Sequence, residues 1–290
     1  MPTSSEFDRL VEVVATLRSP EGCPWDREQT LESLTQFVLE EAHEVVDAIE
    51  RGDLAALREE IGDHIFEGVL LAQVATELGV FRVEDALRAV ADKLVRRRPH
   101  VFREDGRLHD AASKERAPSA DAALSRWDTQ KAQERLAAGE TKPTLGGLPR
   151  SLPALLRAYK LSKRAAGVGF DWVRTADVVG KIREEVDELA EVVASGDRPD
   201  QTRAEEEMGD LLFAIANLSR KLGIEPEAAL RKANEKFTGR FEAMEHAIVE
   251  SGRRMQDMSL DELEGEWQTV KALPRKDSHE DTKTRNSTNT

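Results

Sequence analysis

Apolar side chains recur along the chain at intervals of three and four residues, with acidic and basic side chains between them. This spacing is typical of amphipathic helices, because residues three or four positions apart share one helix face. The helices predicted in the first half cover about Ser5–Leu17, Leu31–Glu50, Leu54–Leu78 and Val83–Arg98. Those predicted in the second half cover about Leu152–Ala166, Thr175–Ala194, Arg203–Leu222, Glu227–Val249 and Leu260–Leu273. The expected fold class is therefore all-α.

The segment between these two series of helices has a different composition. From about Arg103 to Gly147 it is rich in Ser, Pro, Gly and charge, with one modest helical patch around Leu124–Leu136. We interpret it as a partly helical linker. The expected organisation is an N-terminal helical domain over 1–103, a linker over 104–147, a second helical domain over 148–273 and a disordered polar tail over 274–290.

The two halves repeat the same three motifs in the same order. In the first half these are Glu40-Glu41-x-x-Glu44, Glu60-Ile61-Gly62-Asp63-x-x-Phe66 and the pair Lys93 and Arg97. In the second half they are Glu184-Glu185-x-x-Glu188, Glu207-Met208-Gly209-Asp210-x-x-Phe213 and the pair Lys236 and Arg240. A single acidic motif could arise by chance among 56 Asp and Glu residues, but an ordered set that occurs twice indicates two related helical units.

Each half therefore carries four acids that a pair of packed helices would gather in one cleft. The two sets are Glu41, Glu44, Glu60 and Asp63, and Glu185, Glu188, Glu207 and Asp210. Carboxylates grouped in a partly buried cleft repel one another, so they need protons or cations. Hard oxygen donors without Cys or a required His select Mg²⁺, with Mn²⁺ as a substitute. The alternative, a solvated acidic face, fits poorly because Asp63 and Asp210 open runs that are apolar nearly all round.

Basic residues distinguish the two sets of acids. Lys181 lies four residues before Glu185 and shares its helix face, whereas Phe37 holds the equivalent place before Glu41. Lys236 and Arg240 share another face, although their spacing also fits an ordinary surface pair. A metal-bound polyphosphate needs acids for the cation and Lys or Arg for the outer phosphates. We therefore expect catalysis in the second half.

The net charge of the chain is −14, which disfavours nucleic acid and anionic membranes as partners. No stretch approaches the roughly 20 apolar residues of a membrane-spanning helix. The chain starts without a basic segment followed by an apolar one, so no secretory signal is expected. These features predict a cytoplasmic protein.

The sequence resembles the MazG family of nucleoside triphosphate pyrophosphohydrolases from about Phe7 to Leu273. Besides the paired acidic motifs, the resemblance includes Gly22-Cys23-Pro24-Trp25-Asp26, the run from Arg97 to Phe102, the run from Leu148 to Leu155, Gly169-Phe170-Asp171-Trp172 and the run from Ala233 to Phe237. It implies a tandem repeat of two MazG-like helical bundles and an intimate homodimer. It also implies Mg²⁺-dependent hydrolysis of NTPs and dNTPs to monophosphate and pyrophosphate, with broad base tolerance and the main activity in the second half.

Residue by residue, the resemblance assigns metal binding to Glu185, Glu188, Glu207 and Asp210. It assigns nucleotide contacts to Lys181, the stretch near Arg203, Lys236, Arg240 and Trp267, where Trp267 could stack on a base or simply pack. Glu184 and Lys236 are the candidate catalytic residues, with Glu184 accepting a proton from water. Two alternatives stay open: a helical dimer that binds nucleotides or a partner without turnover, and an enzyme restricted to one damaged or modified nucleotide.

Overall fold

The computed structural model describes residues 5–103, 105–109, 143–194 and 200–273, with single positions between 119 and 134. These residues are mostly helical and contain no strand, apart from an isolated bridge between Phe102 and Leu108. The prediction of an all-α fold is confirmed. The chain divides into two compact units, Met1–Glu140 and Thr141–Thr290, called here the first and the second unit.

The first unit contains five helices within residues 5–103. They are α1 (Glu6–Leu17), α2 (Pro24–Glu28), α3 (Thr35–Arg51), α4 (Leu54–Glu77) and α5 (Val83–Arg96). Helix α4 packs against α1, α3 and α5, around a buried core of Val14, Leu34, Val69, Leu70 and Val74. The Asp53 side chain accepts hydrogen bonds from the first two backbone N–H groups after Leu54, so α4 starts immediately after the end of α3. Helices α3 and α4 thereby form an antiparallel pair.

Two features of the first unit differ from the predicted elements. Helix α3 begins at Thr35 rather than at Leu31, because Thr30 and Ser33 each bond the other's backbone N–H and close a separate turn. The short helix α2 was not predicted, since five residues are too few for a helical period to show. Pro24 occupies its first turn, where a missing N–H costs nothing.

The linker is tied to the first unit through Glu134. Its carboxylate accepts hydrogen bonds from Arg96 Nε at 2.7 Å and from Arg97 Nη2 at 2.7 Å. These two guanidinium groups lower the pKa of Glu134 to about 2. The Arg97 guanidinium also lies 5.6 Å from the centre of the Trp127 ring. The described residues of the predicted helical patch are helical, whereas Leu124, Leu136 and the predicted disordered tail 274–290 lie outside the described residues.

The second unit contains five α-helices in its described part. They are α6 (Ala154–Ala166), α7 (Thr175–Ala194), α8 (Gln201–Lys221), α9 (Pro226–Glu250) and α10 (Leu260–Ala272). Helix α8 packs against α6, α7 and α9, and α10 packs against α9. The Asp200 side chain accepts from the backbone N–H groups of Thr202 and Arg203, so α8 starts before Arg203, the predicted first residue. The pair α7 and α8 is thus the counterpart of α3 and α4.

Among the helices of the described ranges, none combines the length and the apolar character needed to cross a bilayer.

Candidate functional site

Helices α7 and α8 bring three predicted acids of the second half together. Glu185, Glu207 and Asp210 each offer a carboxylate oxygen, and these oxygens lie within 4.8 Å of one another. Glu185 is only 4% exposed, whereas Asp210 reaches the solvent. Several hard oxygen donors at this spacing suit a divalent cation such as Mg²⁺. We call Glu185, Glu188, Glu207 and Asp210 the second cluster.

Glu188 lies at the edge of this cluster, outside the closest group of three. Burial raises the pKa of Glu188, and the nearby carboxylates of Glu207 and Glu185 raise it further, while Lys181 opposes the shift. A carboxylate whose charged form is penalised by neighbouring acids gains from a cation. Glu188 therefore feels the charge of Glu185 and Glu207, although its oxygens are not among the closest set.

Lys181 contacts two acids on its own helix. Its Nζ atom lies 2.7 Å from a carboxylate oxygen of Glu184 and 2.7 Å from one of Glu185. The hydrogen bonds to Glu184 and Glu185 raise the pKa of Lys181 above its usual value, so the side chain stays positively charged. The candidate base Glu184 is thus ion-paired, and more than half of its side chain is exposed to solvent.

Arg203 provides a second positive charge beside the same cluster. Its Nε atom lies 3.6 Å from a carboxylate oxygen of Glu207, one helical turn further along α8. The sequence placed Arg203 near the nucleotide only through the family resemblance, because the start of α8 was ambiguous. With the helix start at Gln201, Arg203 and Glu207 lie on one face of α8.

The remaining predicted nucleotide contacts lie on α9 and α10. Lys236 and Arg240 are on α9, and neither forms an ion pair with another described residue. The Trp267 ring of α10 packs against Phe237, with ring centres 5.3 Å apart. Phe237 in turn stacks on Phe241 at 6.0 Å, and it is 57% exposed. The sequence analysis did not single out Phe237 as a neighbour of Trp267; its signals were the position next to Lys236 and the four-residue spacing to Phe241.

Helices α3 and α4 gather acids in the same way in the first unit. Glu41, Glu60 and Asp63 each offer an oxygen, again within 4.8 Å of one another. Burial and the surrounding carboxylates, above all Glu44, raise the pKa of Glu41 and of Glu60. One oxygen of Glu41 is buried and has no hydrogen-bond partner among the described residues. We call Glu41, Glu44, Glu60 and Asp63 the first cluster; its donors also fit a hard cation.

No lysine or arginine takes the places of Lys181 and Arg203 beside the first cluster. Phe37 stands in the place of Lys181, where it packs against the core and meets the Trp25 ring edge-on at 5.7 Å. Ala56 stands four residues before Glu60, where Arg203 stands before Glu207. In the third motif, Arg97 is paired with Glu134 of the linker, whereas its counterpart Arg240 has no ion pair in the described part of the chain.

Comparison with known proteins identifies the family. The profile of the MazG nucleotide pyrophosphohydrolase domain matches twice, at residues 29–102 and 176–244. The nucleoside triphosphate pyrophosphohydrolase of Escherichia coli K12 is 45% identical over 268 residues, which cover 92% of this chain and 97% of that protein. The nucleoside triphosphate pyrophosphohydrolase/pyrophosphatase MazG of Thermotoga maritima is 40% identical over 266 residues, covering 91% and 95% of the two chains.

The fold and the paired acidic clusters define a tandem all-α protein of the kind that handles metal-bound nucleotides. The chain belongs to the MazG family, and by that membership it is an enzyme, a nucleotide pyrophosphohydrolase that acts on acid anhydrides. The resemblance stated from the sequence is therefore confirmed. Each match of the domain profile contains one of the two clusters, so the repeat read from the acidic motifs coincides with a repeat of the family domain.

Proposed function

We propose that the chain hydrolyses nucleoside triphosphates, both NTPs and dNTPs, to a nucleoside monophosphate and pyrophosphate, with Mg²⁺ as cofactor and Mn²⁺ as a substitute. The reaction takes place at the second cluster. The observation that carries this proposal is the pairing of acids with cations there: Lys181 is 2.7 Å from Glu185, and Arg203 is 3.6 Å from Glu207. The names of the two relatives, both nucleoside triphosphate pyrophosphohydrolases, support the same substrate class.

Four acids would hold the ion in this proposal: Glu185, Glu188, Glu207 and Asp210. Bound Mg²⁺ neutralises charge on the phosphates and lowers the pKa of an attacking water. Lys181 and Arg203 are held beside these acids by their ion pairs and can turn to phosphate oxygens when a triphosphate arrives. The side chains therefore provide both charges that a metal-bound polyphosphate requires.

Glu184 is the proposed acceptor of the water's proton, and Lys236 the second proposed catalytic residue. Glu184 neighbours the metal-binding acids but points one step round the helix, where Lys181 keeps its carboxylate oriented at 2.7 Å. When Lys181 turns to a phosphate, the carboxylate of Glu184 becomes available as a base. Lys236 and Arg240 lie on α9 and would bind the outer phosphates as the charge on them develops.

The base of the nucleotide is proposed to stack on Trp267, with Phe237 behind it. Stacking on an aromatic ring tolerates any base, because every base offers a flat π-face. The Trp267 and Phe237 rings lie 5.3 Å apart on α10 and α9, and Phe237 adjoins Lys236, so this platform is next to the proposed phosphate contacts. This arrangement supports broad base tolerance rather than selection of one damaged or modified nucleotide.

The first cluster is proposed to bind a cation through Glu41, Glu44, Glu60 and Asp63 without turning over nucleotides. Phe37 and Ala56 leave this cluster without the two cations that accompany the second one. A triphosphate brought there would meet carboxylates with no neighbouring Lys or Arg on the same helix faces.

We propose that the protein is a homodimer, on the basis of apolar side chains exposed on α4 and α8. These are Ile61 and Ile65 on α4, and Met208, Leu212, Phe213 and Ile215 on α8, each between 39% and 45% exposed. Exposed apolar surface of this extent on paired helices marks an interface with another protein surface. Light scattering should give twice the chain mass of 32.3 kDa.

The charge of −14 supports a cytoplasmic protein that binds neither nucleic acid nor membranes.

The experiment that tests the proposed function is a rate comparison on the eight ordinary NTPs and dNTPs, with and without Mg²⁺. We expect pyrophosphate and monophosphate from all eight, with rates within about tenfold of one another because stacking discriminates weakly. Chelation should abolish the activity, and Mn²⁺ should restore it. Metal-dependent binding with no product, or activity on one nucleotide only, contradicts the proposal.

A further inference from the structure

Glu67 on α4 is a buried acid that the proposed reaction does not use. It is 7% exposed, and its Oε2 atom has no hydrogen-bond partner among the described residues. The charged groups that act on Glu67 are Glu41, Asp26 and Asp63, and all three are acids. A buried carboxylate without a positive partner destabilises the fold, so a proton or a cation is needed to neutralise it.

The position of Glu67 places it with the first cluster. It lies four residues after Asp63 and seven after Glu60, so the three carboxylates share one face of α4. Across from this face, α3 carries Glu41, whose buried Oε2 atom also lacks a partner in the described part of the chain. Two buried carboxylates that each have an oxygen without a partner thus add to each other's charge, and Asp63 adds to it further.

The second unit lacks this acid. The residue at the equivalent place, four positions after Asp210, is Ala214, which is buried at 7% exposure. With Glu67, the first cluster therefore has one more carboxylate than the second, and it has none of the flanking cations. This difference favours tight retention of an ion over exchange of a nucleotide-bound one.

We infer that Glu67 belongs to the divalent-cation site of the first unit, where it joins the acids of the first cluster in binding one resident ion that stabilises the α3–α4 pair. The donors are carboxylates alone, which suits Mg²⁺ or Mn²⁺. The inference rests on the proposed role of the first cluster as a cation site, but not on which nucleotide the second cluster hydrolyses.

Measuring Mn²⁺ binding tests this inference in a variant whose second cluster can no longer bind the ion. In a Glu207→Gln, Asp210→Asn background, we expect titration followed by electron paramagnetic resonance of free Mn²⁺ to show one ion bound per chain. Adding Glu67→Gln, which keeps the side-chain shape and removes the charge, should weaken the affinity by at least about tenfold. The same substitution should reduce the rise in Tm that Mn²⁺ gives the background protein, because the stabilisation by a ligand falls with its affinity.

Two control variants separate the possible causes of a negative result. Glu59→Gln removes a charge from an exposed position of the same helix and should change the affinity by less than about twofold, since exposed charges are screened. Glu41→Gln with Asp63→Asn should abolish binding. If this pair abolishes binding while Glu67→Gln does not weaken it, Glu67 is no part of the site. If no first-unit variant changes binding, the cation role of the first cluster fails as well, and the hydrolysis proposed for the second cluster stands untouched.

The Tm measured without metal shows whether Glu67→Gln changes the stability of the protein itself, apart from metal binding. Glu67→Gln relieves repulsion among buried acids, so the metal-free variant should be at least as stable as its parent. A variant that melts lower without metal and binds Mn²⁺ as well as its parent contradicts the inference, because the carboxylate then serves packing alone. Glu67→Ala, which copies Ala214, should weaken Mn²⁺ binding as Glu67→Gln does.

Discussion

The first and the second cluster have the same acids at the same spacing within each motif, and their surroundings differ. Each places three carboxylate oxygens within 4.8 Å on an antiparallel pair of helices. Beside the second cluster stand Lys181 and Arg203, while Phe37 and Ala56 stand at the matching places beside the first. In the proposed function, the acids bind the cation, and the residues one helical turn before them decide whether a phosphate chain can bind beside it.

The third motif shows the same contrast. Arg240 has no ion pair with a described residue, and Arg97 is paired with Glu134 at 2.7 Å. An arginine already bound to a carboxylate must break that pair before it can bind a phosphate. In the first unit, the arginine of the motif is thus bound within the fold, and the contrast concerns this arginine alone.

The largest expected effect comes from removing charge in the second cluster. Glu207→Gln with Asp210→Asn should lower the rate of pyrophosphate release by at least about 1,000-fold, because metal assistance is worth several kcal/mol of the barrier. The matched pair in the first cluster, Glu60→Gln with Asp63→Asn, should lower it by less than about threefold. Coupled detection of pyrophosphate at saturating Mg²⁺ measures both. Equal losses would remove the functional distinction between the two clusters.

The next largest effect is expected at Lys181. Lys181→Met keeps the length of the side chain and removes its charge, so kcat/KM should fall by about 10- to 100-fold, the worth of a hydrogen bond to a charged group. Lys181→Arg should retain more activity, since it keeps the positive charge. Steady-state kinetics on one NTP separates the two variants. If Lys181→Met kept the wild-type kcat/KM, the acids alone would suffice for hydrolysis. Phe37 at the equivalent place would then not explain why the first cluster should be inactive.

A smaller effect is expected at the aromatic platform. Trp267→Ala should raise KM by about tenfold for all bases alike, because it removes one stacking contact of about 1–3 kcal/mol. Trp267→Phe, which keeps a flat ring, should stay within about threefold of the wild type. Michaelis kinetics on ATP, GTP, CTP and UTP provides the comparison. A loss confined to one base would mean that Trp267 selects bases.

The smallest effect concerns the stability of the first unit. Glu134→Gln removes the carboxylate that Arg96 and Arg97 bind, so Tm should fall by roughly 2–4 °C at pH 7. The folded pKa of Glu134, about 2, lies below its ordinary value of 4.5, so its contribution is complete above about pH 4.5 and is lost as the pH falls through 2. The gap between wild type and variant, measured by urea unfolding, should therefore narrow below pH 4.5.

The exposed pair of Glu6 and Arg9 provides the matched control for this measurement. Their side chains are 87% and 73% exposed, so Glu6→Gln should leave Tm unchanged at every pH. A gap for Glu134→Gln that stays constant from pH 7 down to pH 2 would show that the carboxylate contributes through packing rather than through its charge.

The sequence predicted the long α-helices well, because their apolar residues recur with a clear helical period. It also predicted the two groups of acids, since residues such as Glu207 and Asp210 must share a helix face at their spacing. The start of α3 was missed because Leu31 and Leu34 continue the apolar pattern, while the bonds between Thr30 and Ser33 that interrupt the helix depend on local geometry.

Contacts between distant residues escaped the sequence analysis for a different reason. The bond between Arg97 and Glu134 joins positions 37 residues apart, and no local period relates them. The pairing of Trp267 with Phe237 depends likewise on how α10 packs on α9. The burial of Glu67 could have been predicted from the sequence, because this acid interrupts the apolar run from Ile65 to Val69.

The ion pairs of Arg96 and Arg97 with Glu134 have a practical consequence for the design of shorter fragments of the chain. A fragment cut at residue 103 would leave two neighbouring guanidinium groups, one of them only 19% exposed, without the carboxylate that spans them. Such a fragment loses part of its own stability at the cut, so a poor yield would say nothing about the acidic helices. The shortest fragment that reports faithfully on the first unit runs through Glu134.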